Sequence, residues 1–284
     1  MIFLSFFWAQ SLAPNFLNQP IWDDGQAEVV FYWVQRTHNQ YGQKQDQSFL
    51  VGTYLVKHDF DPSTQSKAAG QALNAVPAFK YALFYELESG SYQYKRNYVL
   101  NLAKADLAPL KLSFTCFDWC SNTYRELNWT NPLQAELLFR SDDYGNDQKR
   151  LQLSKPAVPT LGLTFFLRAL DFEKLDQHEF TVMDPLGETT TVTARWGGSV
   201  QLMIHDQAIP VDFIELRYAG QIASPIGEKN ELRETVFLSK QPDRVLVKWQ
   251  AADQRYSMEM LEHMRSAYWR ENLYEKAQVI ASRP

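Results

Sequence analysis

Residues Leu110 to Trp129 read LKLSFTCFDWCSNTYRELNW, and they carry the clearest strand–turn–strand pattern in the sequence. In the first half apolar and polar side chains alternate, as in Leu112, Ser113 and Phe114, which is the period-two pattern of a strand with one buried face. The alternation stops at Asp118, and Ser121 follows. Both side chains favour turns because they bond the nearby backbone. The stretch therefore predicts a β-hairpin.

Both cysteines of the chain, Cys116 and Cys120, lie in this hairpin. In one extended strand their Cα atoms would be ~13 Å apart, beyond the reach of a disulfide. They can bond if the chain reverses between them; otherwise they are two buried thiols that pack as small hydrophobic groups. Two cysteines without a nearby histidine do not make a four-ligand zinc site, and their spacing is not that of a redox CxxC pair.

Hairpin patterns recur along the rest of the chain. Ala27 to Arg36 (AEVVFYWVQR) is apolar on both faces, which predicts a central strand, and Ser48 to Lys57 returns beside it. Val76 to Glu88 and Tyr92 to Leu102 form a second pair. Roughly ten to fourteen strands and one or two short helices predict a mainly β, β-rich α+β fold, an antiparallel hairpin meander that forms an open barrel or half-barrel.

The first nineteen residues have the pattern of a leader. MIFLSFFWA is a short apolar run, and a zone of small residues follows it, as in a secretory signal, although the positively charged start is missing. Residues 1–19 therefore predict a signal segment and a periplasmic or secreted protein. If the run is a folded first strand instead, the protein is cytoplasmic.

The Pro-containing segment Lys155 to Pro159 is the best boundary in the remaining chain. It divides an N-terminal antiparallel β unit, 20–154, from a C-terminal β unit with short helices, 155–284. We expect the two to pack as one continuous domain. Helical spacing of apolar residues occurs at Leu161 to Leu175 and again from Leu261 onward.

Composition and missing motifs exclude several functions. Hydrophobic residues make up 45% and charged residues 21% of the chain, which excludes a mostly disordered protein. A net charge of −5 without a basic run argues against nucleic-acid binding. No apolar run reaches the ~20 residues of a transmembrane span. Because phosphate loops, HExxH, GxSxG and nucleotide fingerprints are all missing, the sequence predicts no cofactor and favours a non-enzyme.

Two groups of polar residues near the start of the chain are weak site candidates. His58, Asp59 and Asp61 would suit a cation on a loop, but such residues beside a proline are more typical of a solvated strand end. Asp23 and Asp24 are adjacent, which favours a turn over a pair of catalytic carboxylates. The sequence therefore predicts no metal ligands.

Three strand-borne carboxylates are the remaining catalytic candidates. Two of Glu86, Glu126 and Glu215 facing one cleft would give the acid and base of glycoside hydrolysis. The simpler interpretation is the wet face of a strand, where charges normally lie. Asn128-Trp-Thr130 fits a glycosylation sequon, a pattern that is frequent by chance. We predict no catalytic residue from these patterns.

Short motifs near the start, middle and end of the chain carry a resemblance. They are Trp22-Asp-Asp-Gly-Gln-Ala-Glu28 with Tyr32 and Tyr41-Gly42, Asp118-Trp-Cys120 with Tyr124 and Leu127-Asn128, and Tyr268-Trp269. Together they resemble a family of uncharacterised bacterial proteins with W-x-D-G-x-A-E, R-Y-G and W-C-x-x-x-Y-x-x-L-N segments. Gln40 stands where that family has the arginine of R-Y-G.

Members of this family are sometimes labelled septum-formation inhibitors. That label belongs to a nucleotide pyrophosphatase, and this sequence lacks the Ser-Pro-Arg-type loop of such an enzyme. The resemblance therefore implies a secreted or envelope-associated protein and supplies no site residues.

These observations lead to one main hypothesis and two alternatives. The main hypothesis is a non-catalytic envelope or periplasmic protein whose curved sheet binds an apolar or amphipathic, lipid-like ligand, or an envelope protein partner. One alternative is a carboxylate-dependent hydrolase of envelope polysaccharide, which needs two carboxyl groups ~5–10 Å apart. The other is a structural subunit of an envelope assembly, which needs a large exposed apolar patch.

Overall fold

The structure, a computed structural model, describes residues 11–40, 43–69, 73–89, 92–118, 121–223 and 232–281. The described residues form one large sheet of sixteen strands and three short α-helices. The sheet is open, and its strands are antiparallel except at the pairing of the tenth with the eleventh. The predicted mainly β fold with an open barrel or half-barrel is therefore confirmed.

The strands divide into two groups along the chain. The first group is β1 (Ala27–Gln40), β2 (Gln43–Asp61), β3 (Ser66–Lys67), β4 (Val76–Ser89), β5 (Tyr92–Ala103), β6 (Pro109–Phe117), β7 (Asn122–Asn131), β8 (Gln134–Ser141) and β9 (Gly145–Gln152). The second group is β10 (Ala157–Pro159), β11 (Gln177–Met183), β12 (Thr189–Ile204), β13 (Gln207–Tyr218), β14 (Arg233–Ser239), β15 (Leu246–Ala251) and β16 (Tyr256–Ser266). The α-helices are α1 (Pro14–Leu17), α2 (Leu163–Ala169) and α3 (Leu273–Ala281).

Nearly all neighbours in the sheet are also neighbours in sequence, as a hairpin meander requires. The exception that joins the two groups is the pairing of β16 with β1, in which Ala27 lies opposite Ser266. β1 is therefore a central strand, as its apolar residues on both faces predict. β9 and β10 are the edges. The division of the chain into units at residues 154 and 155 stays a prediction.

One face of the sheet, here called the inner face, packs around α2, whose residues are all buried. The Phe165 ring centroid lies 5.0 Å from that of Phe79, 5.8 Å from that of Phe16 and 5.9 Å from that of Trp22. Edge-to-face pairs at such distances add about 0.5–1.5 kcal/mol each to the burial of the rings. Aromatic side chains of the inner face therefore fill the core around α2.

The opposite face, here called the outer face, is covered over β1 and β2 by the end of the chain. Ile280 of α3 packs with Val29 and Phe31 of β1. Just before α3, the ring of Tyr268 stacks on that of Tyr54 with 4.6 Å between centroids. The cover by α3 explains why β1 is apolar on both faces.

The helical spacing of apolar residues predicted one boundary of each of two helices wrongly. Within the helix predicted from Leu161 to Leu175, only Leu163–Ala169 is α-helical, because Leu170 is extended and bridges to Leu12. The helix predicted from Leu261 onward is wrong for its first turns: β16 continues to Ser266 because β1 pairs with it along this whole stretch. Local spacing cannot show that a partner strand is available.

The predicted leader overlaps the described chain only in part. Residues 1–10 lie outside the described residues. From Leu12 onward the chain joins the core: the Ala13 backbone N–H donates to Ala169 O over 2.8 Å, and Phe16 and Leu17 are buried. Leader cleavage and the compartment stay predictions.

Gly52 is a position where the outer face has no room for a side chain. The pairing of β2 runs through Gly52 without a register shift, so the residue is not a bulge, and a Cβ there would overlap the ring of Phe84 directly opposite. We expect Gly52→Ala to lower the free energy of unfolding by about 1–3 kcal/mol, as overpacking does. Urea unfolding measures this loss. The same substitution in a Phe84→Ala background should cost much less, and an equal cost would contradict the steric explanation.

Candidate functional site

A row of polar side chains crosses the outer face from β4 to β6. Lys80 pairs with Asn101, and Asn101 pairs with Lys111, while Val56 of β2 continues the row on the other side. Directly opposed residues of neighbouring strands point to the same face of a sheet. Two lysines that are far apart in sequence therefore stand on either side of one asparagine.

This row forms the floor of a cleft of about 460 Å³, here called the lysine cleft. The turn at Trp22 to Gln26, the end of β2, the β3 loop and the segment after β16 surround it. Its charged lining consists of Lys57, Lys67, Lys80 and Lys111, with His58 beside them, and no carboxylate of the described residues lines it. The protein as a whole has a net charge of −5, so this cleft has the opposite sign to the rest of the molecule.

The four lysines differ in how far their charge is already neutralised. Lys111 lies 2.9 Å from the Glu126 carboxylate, and Lys57 forms an ion pair with Asp23. Lys80 Nζ lies 5.5 Å above the centre of the Tyr54 ring. Neither Lys67 nor Lys80 has a carboxylate partner within the described parts of the chain. These two ammonium groups are the least compensated charges of the cleft.

His58 lines the same cleft as the four lysines. Its Nε2 atom hydrogen-bonds Asn101 Oδ1 at 2.9 Å, whereas its buried Nδ1 atom has no hydrogen-bond partner among the described residues. Burial lowers the pKa of His58, and the nearby Lys80 and Lys67 ammonium groups lower it further. The lowered pKa of His58 therefore reflects both its burial and the positive charge of the cleft.

Aromatic rings form the rim of the lysine cleft. Trp269 is 52% exposed, and Tyr268 holds its place by stacking on Tyr54. Burial raises the pKa of Tyr268 to about 12, so its hydroxyl stays neutral at physiological pH. A neutral ring wall above a cationic floor suits a ligand with one apolar part and one anionic part.

The lysine cleft brings together motifs from the two ends of the chain. Trp22, Gly25 and Gln26 of the first motif and Tyr268-Trp269 of the last motif all line it. The cross-strand register and the pairing of β1 with β16 produce this meeting, and local sequence patterns contain neither. Tyr41-Gly42 lies outside the described residues.

The central hairpin forms as β6 and β7. Cys116 is half-buried with a free thiol on the inner face, and Trp119 and Cys120 lie outside the described residues. The side-chain amide of Asn128, in the sequon, donates to Glu126 Oε1 over 2.7 Å. This asparagine is therefore held within β7.

The three candidate carboxylates do not face one cleft. Glu86 lies 2.9 Å from Lys95, and Glu126 pairs with Lys111, both on the outer face. Glu126 lies three strands across the sheet from Glu86 and four residues further along the strand direction. This separation places their Cα atoms roughly 20 Å apart. Glu215 lies on β13, on the other side of β16 and β1 in the sheet order. Each carboxylate occupies a separate part of the strand surface.

The two weak candidate groups have ordinary structural roles. His58 and Asp59 point to opposite faces of β2, and Asp61 accepts bonds from the backbone and hydroxyl of Ser63 in the following turn. Asp23 pairs with lysines, and Asp24 pairs with Arg265. Among the described residues, these contacts give both groups structural partners.

A buried network of charged groups joins Glu28 of β1, Arg168 of α2 and the turn at Asp243. Glu28 accepts two hydrogen bonds from Arg168, at 2.7 and 2.6 Å, and Arg168 also donates to the backbone oxygen of Asp243. Glu28, Asp243 and His263 present oxygen and nitrogen atoms within 4.8 Å of one another, the spacing of a possible metal site. Because both oxygens of Glu28 already bind Arg168, the group fits an ion-pair network better than a cation site.

A second buried acid has only neutral partners. Glu234 of β14 accepts hydrogen bonds from Tyr218 Oη at 2.7 Å, from Trp249 Nε1 at 2.9 Å and from the Tyr256 hydroxyl. Burial raises the pKa of Glu234 to about 7, although the three donors act in the opposite direction. Local sequence patterns gave no sign of this acid, because its donors come from three other strands.

No described helix is long and apolar enough to cross a membrane. Within the described parts of the chain, the lysine cleft brings together sequence motifs, like charge and exposed aromatic rings. A scan against protein-family models finds no match for this chain, and a search of curated proteins finds none either.

Proposed function

We propose that this protein is a non-catalytic binding protein of the bacterial envelope and that it holds an amphipathic anion in the lysine cleft. The observation that carries the proposal is a concave site whose described lining has four lysines, no carboxylate and an exposed tryptophan at its rim. The resemblance of the Trp22–Glu28 and Tyr268-Trp269 motifs to an envelope-associated family supports the compartment.

The charge of the cleft supports an anionic ligand. Like charges in one concavity repel one another, and low-dielectric walls concentrate their field. An anionic group placed between Lys67, Lys80 and Lys111 would relieve this repulsion. It would also restore an environment in which His58 can be charged, and would so raise the pKa of that histidine.

The walls of the cleft support an apolar part in the same ligand. The rings of Tyr268 and Trp269 and the side chains of Val56 and Val99 line it together with the lysines. The inner face offers less, because its aromatic rings pack on one another around α2. We therefore propose the outer face of the sheet as the ligand-binding face.

The first test is a titration with decyl phosphate below its micellar concentration, followed by tryptophan fluorescence. We expect decyl phosphate to bind at least tenfold more tightly than decanol. Because Lys67 and Lys80 have no carboxylate partners among the described residues, the double variant Lys67→Gln/Lys80→Gln should fold normally. It should bind about tenfold or more weakly, since each lost surface charge contact is worth up to about 1 kcal/mol.

The matched control is Lys149→Gln/Lys155→Gln, which removes two exposed lysines outside the cleft and changes the net charge equally. This control should bind decyl phosphate as the wild type does. Equal losses in the two double variants, or equal binding of decyl phosphate and decyltrimethylammonium, would show that the cleft is not an anion site. In NMR titrations with pH, bound decyl phosphate should raise the pKa of His58.

A further inference from the structure

A second cleft, of about 690 Å³, shares no lining residue with the lysine cleft. It is bounded by α1, the segment after α2, the bulged part of β12 and the turn between β14 and β15. We name it the Trp196 cleft after the ring at its rim. Neither the sequence patterns nor the proposed function accounts for it.

The Trp196 cleft contains charges of both signs, unlike the lysine cleft. Four carboxylates and two cations line it: Asp171, Glu173, Asp176, Asp212, Lys240 and Arg244. Arg244 Nη1 donates to two backbone carbonyl oxygens, at 2.7 and 2.9 Å, and so closes the floor of the cleft. Mixed charges offer many donors and acceptors but little net attraction for a free ion.

Lys240 and Arg244, the two cations of this cleft, already bind other groups of the protein. Lys240 Nζ lies 3.0 Å from Ser199 Oγ and 3.6 Å from Asp212 Oδ1, and the same serine hydroxyl donates to that carboxylate over 2.5 Å. A cationic ligand would meet Lys240 and Arg244, and an anionic ligand would meet the aspartates. The lining therefore suits a neutral ligand that both donates and accepts hydrogen bonds.

The local backbone presents an aromatic ring to this cleft. The pairing of β12 with β13 shifts register between Trp196 and Gly198, and bulges of this kind re-aim side chains. Gly197 has no room for a Cβ because the Phe213 ring occupies that space. Trp196 is 40% exposed, and its backbone N–H donates to Asp176 O over 2.9 Å. The ring is thus held at the rim by fixed backbone.

We infer that the Trp196 cleft binds a neutral, hydroxyl-rich ligand, namely an oligosaccharide. The apolar face of a sugar ring would lie on Trp196, and its hydroxyls would donate to the carboxylates of the lining. The half-polar, half-apolar lining agrees with the amphipathic surface of a sugar.

The experiment is a calorimetric titration of the whole protein with maltohexaose, cellohexaose and N-acetylchitohexaose at millimolar concentrations. We expect at least one of them to bind, and Trp196→Ala to weaken that binding tenfold or more. Trp269→Ala is the matched control, because it removes a similarly exposed tryptophan from the lysine cleft; it should leave sugar binding unchanged.

Three results would overturn the inference: no saccharide of the panel binds, Trp196→Ala and Trp269→Ala weaken binding equally, or spermidine binds through Trp196 while the sugars do not. The last would make the cleft a cation site. Because decyl phosphate binding depends on Lys67 and Lys80, failure of either proposal leaves the other intact.

Discussion

Arg168→Met is expected to lower the free energy of unfolding by about 3–5 kcal/mol, which is the usual cost of leaving one charge of a buried pair without its partner. The melting temperature should fall by roughly 10 °C. The reason lies in the geometry: the side chains of Glu28 and Arg168 are only 3% and 4% exposed, and two hydrogen bonds join them. Without the guanidinium, the Glu28 carboxylate would face the core unpaired.

The surroundings of Arg168 add to this cost. Its guanidinium carbon lies 5.4 to 5.7 Å from the ring centres of Phe16, Trp22 and Phe165. It also donates through Nε and Nη2 to the Asp243 backbone oxygen, and thereby fixes the turn that ends at Arg244. The substitution therefore removes the ion pair, the stacking on the rings and the anchor of a turn in one step.

Chemical unfolding in urea measures this loss. The double variant Glu28→Gln/Arg168→Met should lose less stability than Arg168→Met alone by about 1 kcal/mol or more, because it no longer buries an unpaired charge. The exposed pair of Arg150 and Glu136, 3.2 Å apart and 70% and 45% exposed, provides the control. Arg150→Met should change stability by about 0.5 kcal/mol at most. Equal losses from Arg150→Met and Arg168→Met would contradict the role of burial.

The second large effect is a dependence of stability on pH that comes from Glu234. Burial raises the pKa of this carboxyl from 4.5 to about 7 in the folded protein. The folded state then holds a proton that the unfolded state releases, so the contribution of Glu234 to stability is greatest below pH 4.5 and is lost as the pH rises through about 7. At about 1.4 kcal/mol per pKa unit, the loss across this window is about 3 kcal/mol.

Glu234→Gln should remove this part of the pH dependence, because the amide keeps an acceptor for the tyrosine and tryptophan donors but has no proton to lose. Urea unfolding between pH 5 and 8 compares the slopes of variant and wild type. Glu179→Gln, at an exposed position of β11, should keep the wild-type slope. Burial lowers the pKa of His58 and His178 and adds an opposite slope to all three proteins. Parallel profiles for wild type and Glu234→Gln would contradict the prediction.

The two buried acids show how partners decide the charge of a carboxyl group. Burial tends to raise the pKa of both, but the Arg168 guanidinium holds the pKa of Glu28 below its ordinary value. Glu234 has only neutral donors, and its pKa is raised. Glu28 therefore stabilises the fold as pH rises above the carboxyl range, whereas Glu234 destabilises it.

The sequence by itself determined the fold class and most of the strands. Alternation in Leu110 to Phe117 and apolar residues on both faces of Ala27 to Arg36 are local consequences of a period-two backbone, so they can be read without a structure. The sequence did not predict β3 and β10, because a strand of two or three residues is too short to show an alternation of apolar and polar side chains. The end of β16 was mistaken for a helix, because its strand conformation depends on pairing with β1.

Only the tertiary structure decided where the candidate sites lie. Lys80, Asn101 and Lys111 become neighbours through the register of three strands, and Trp22 meets Trp269 because β16 pairs with β1. Arg168 finds Glu28 across 140 residues of chain. Local periodicity fixes which face a side chain points to, but strand order and register fix what it meets there, and those depend on the packing of the whole chain.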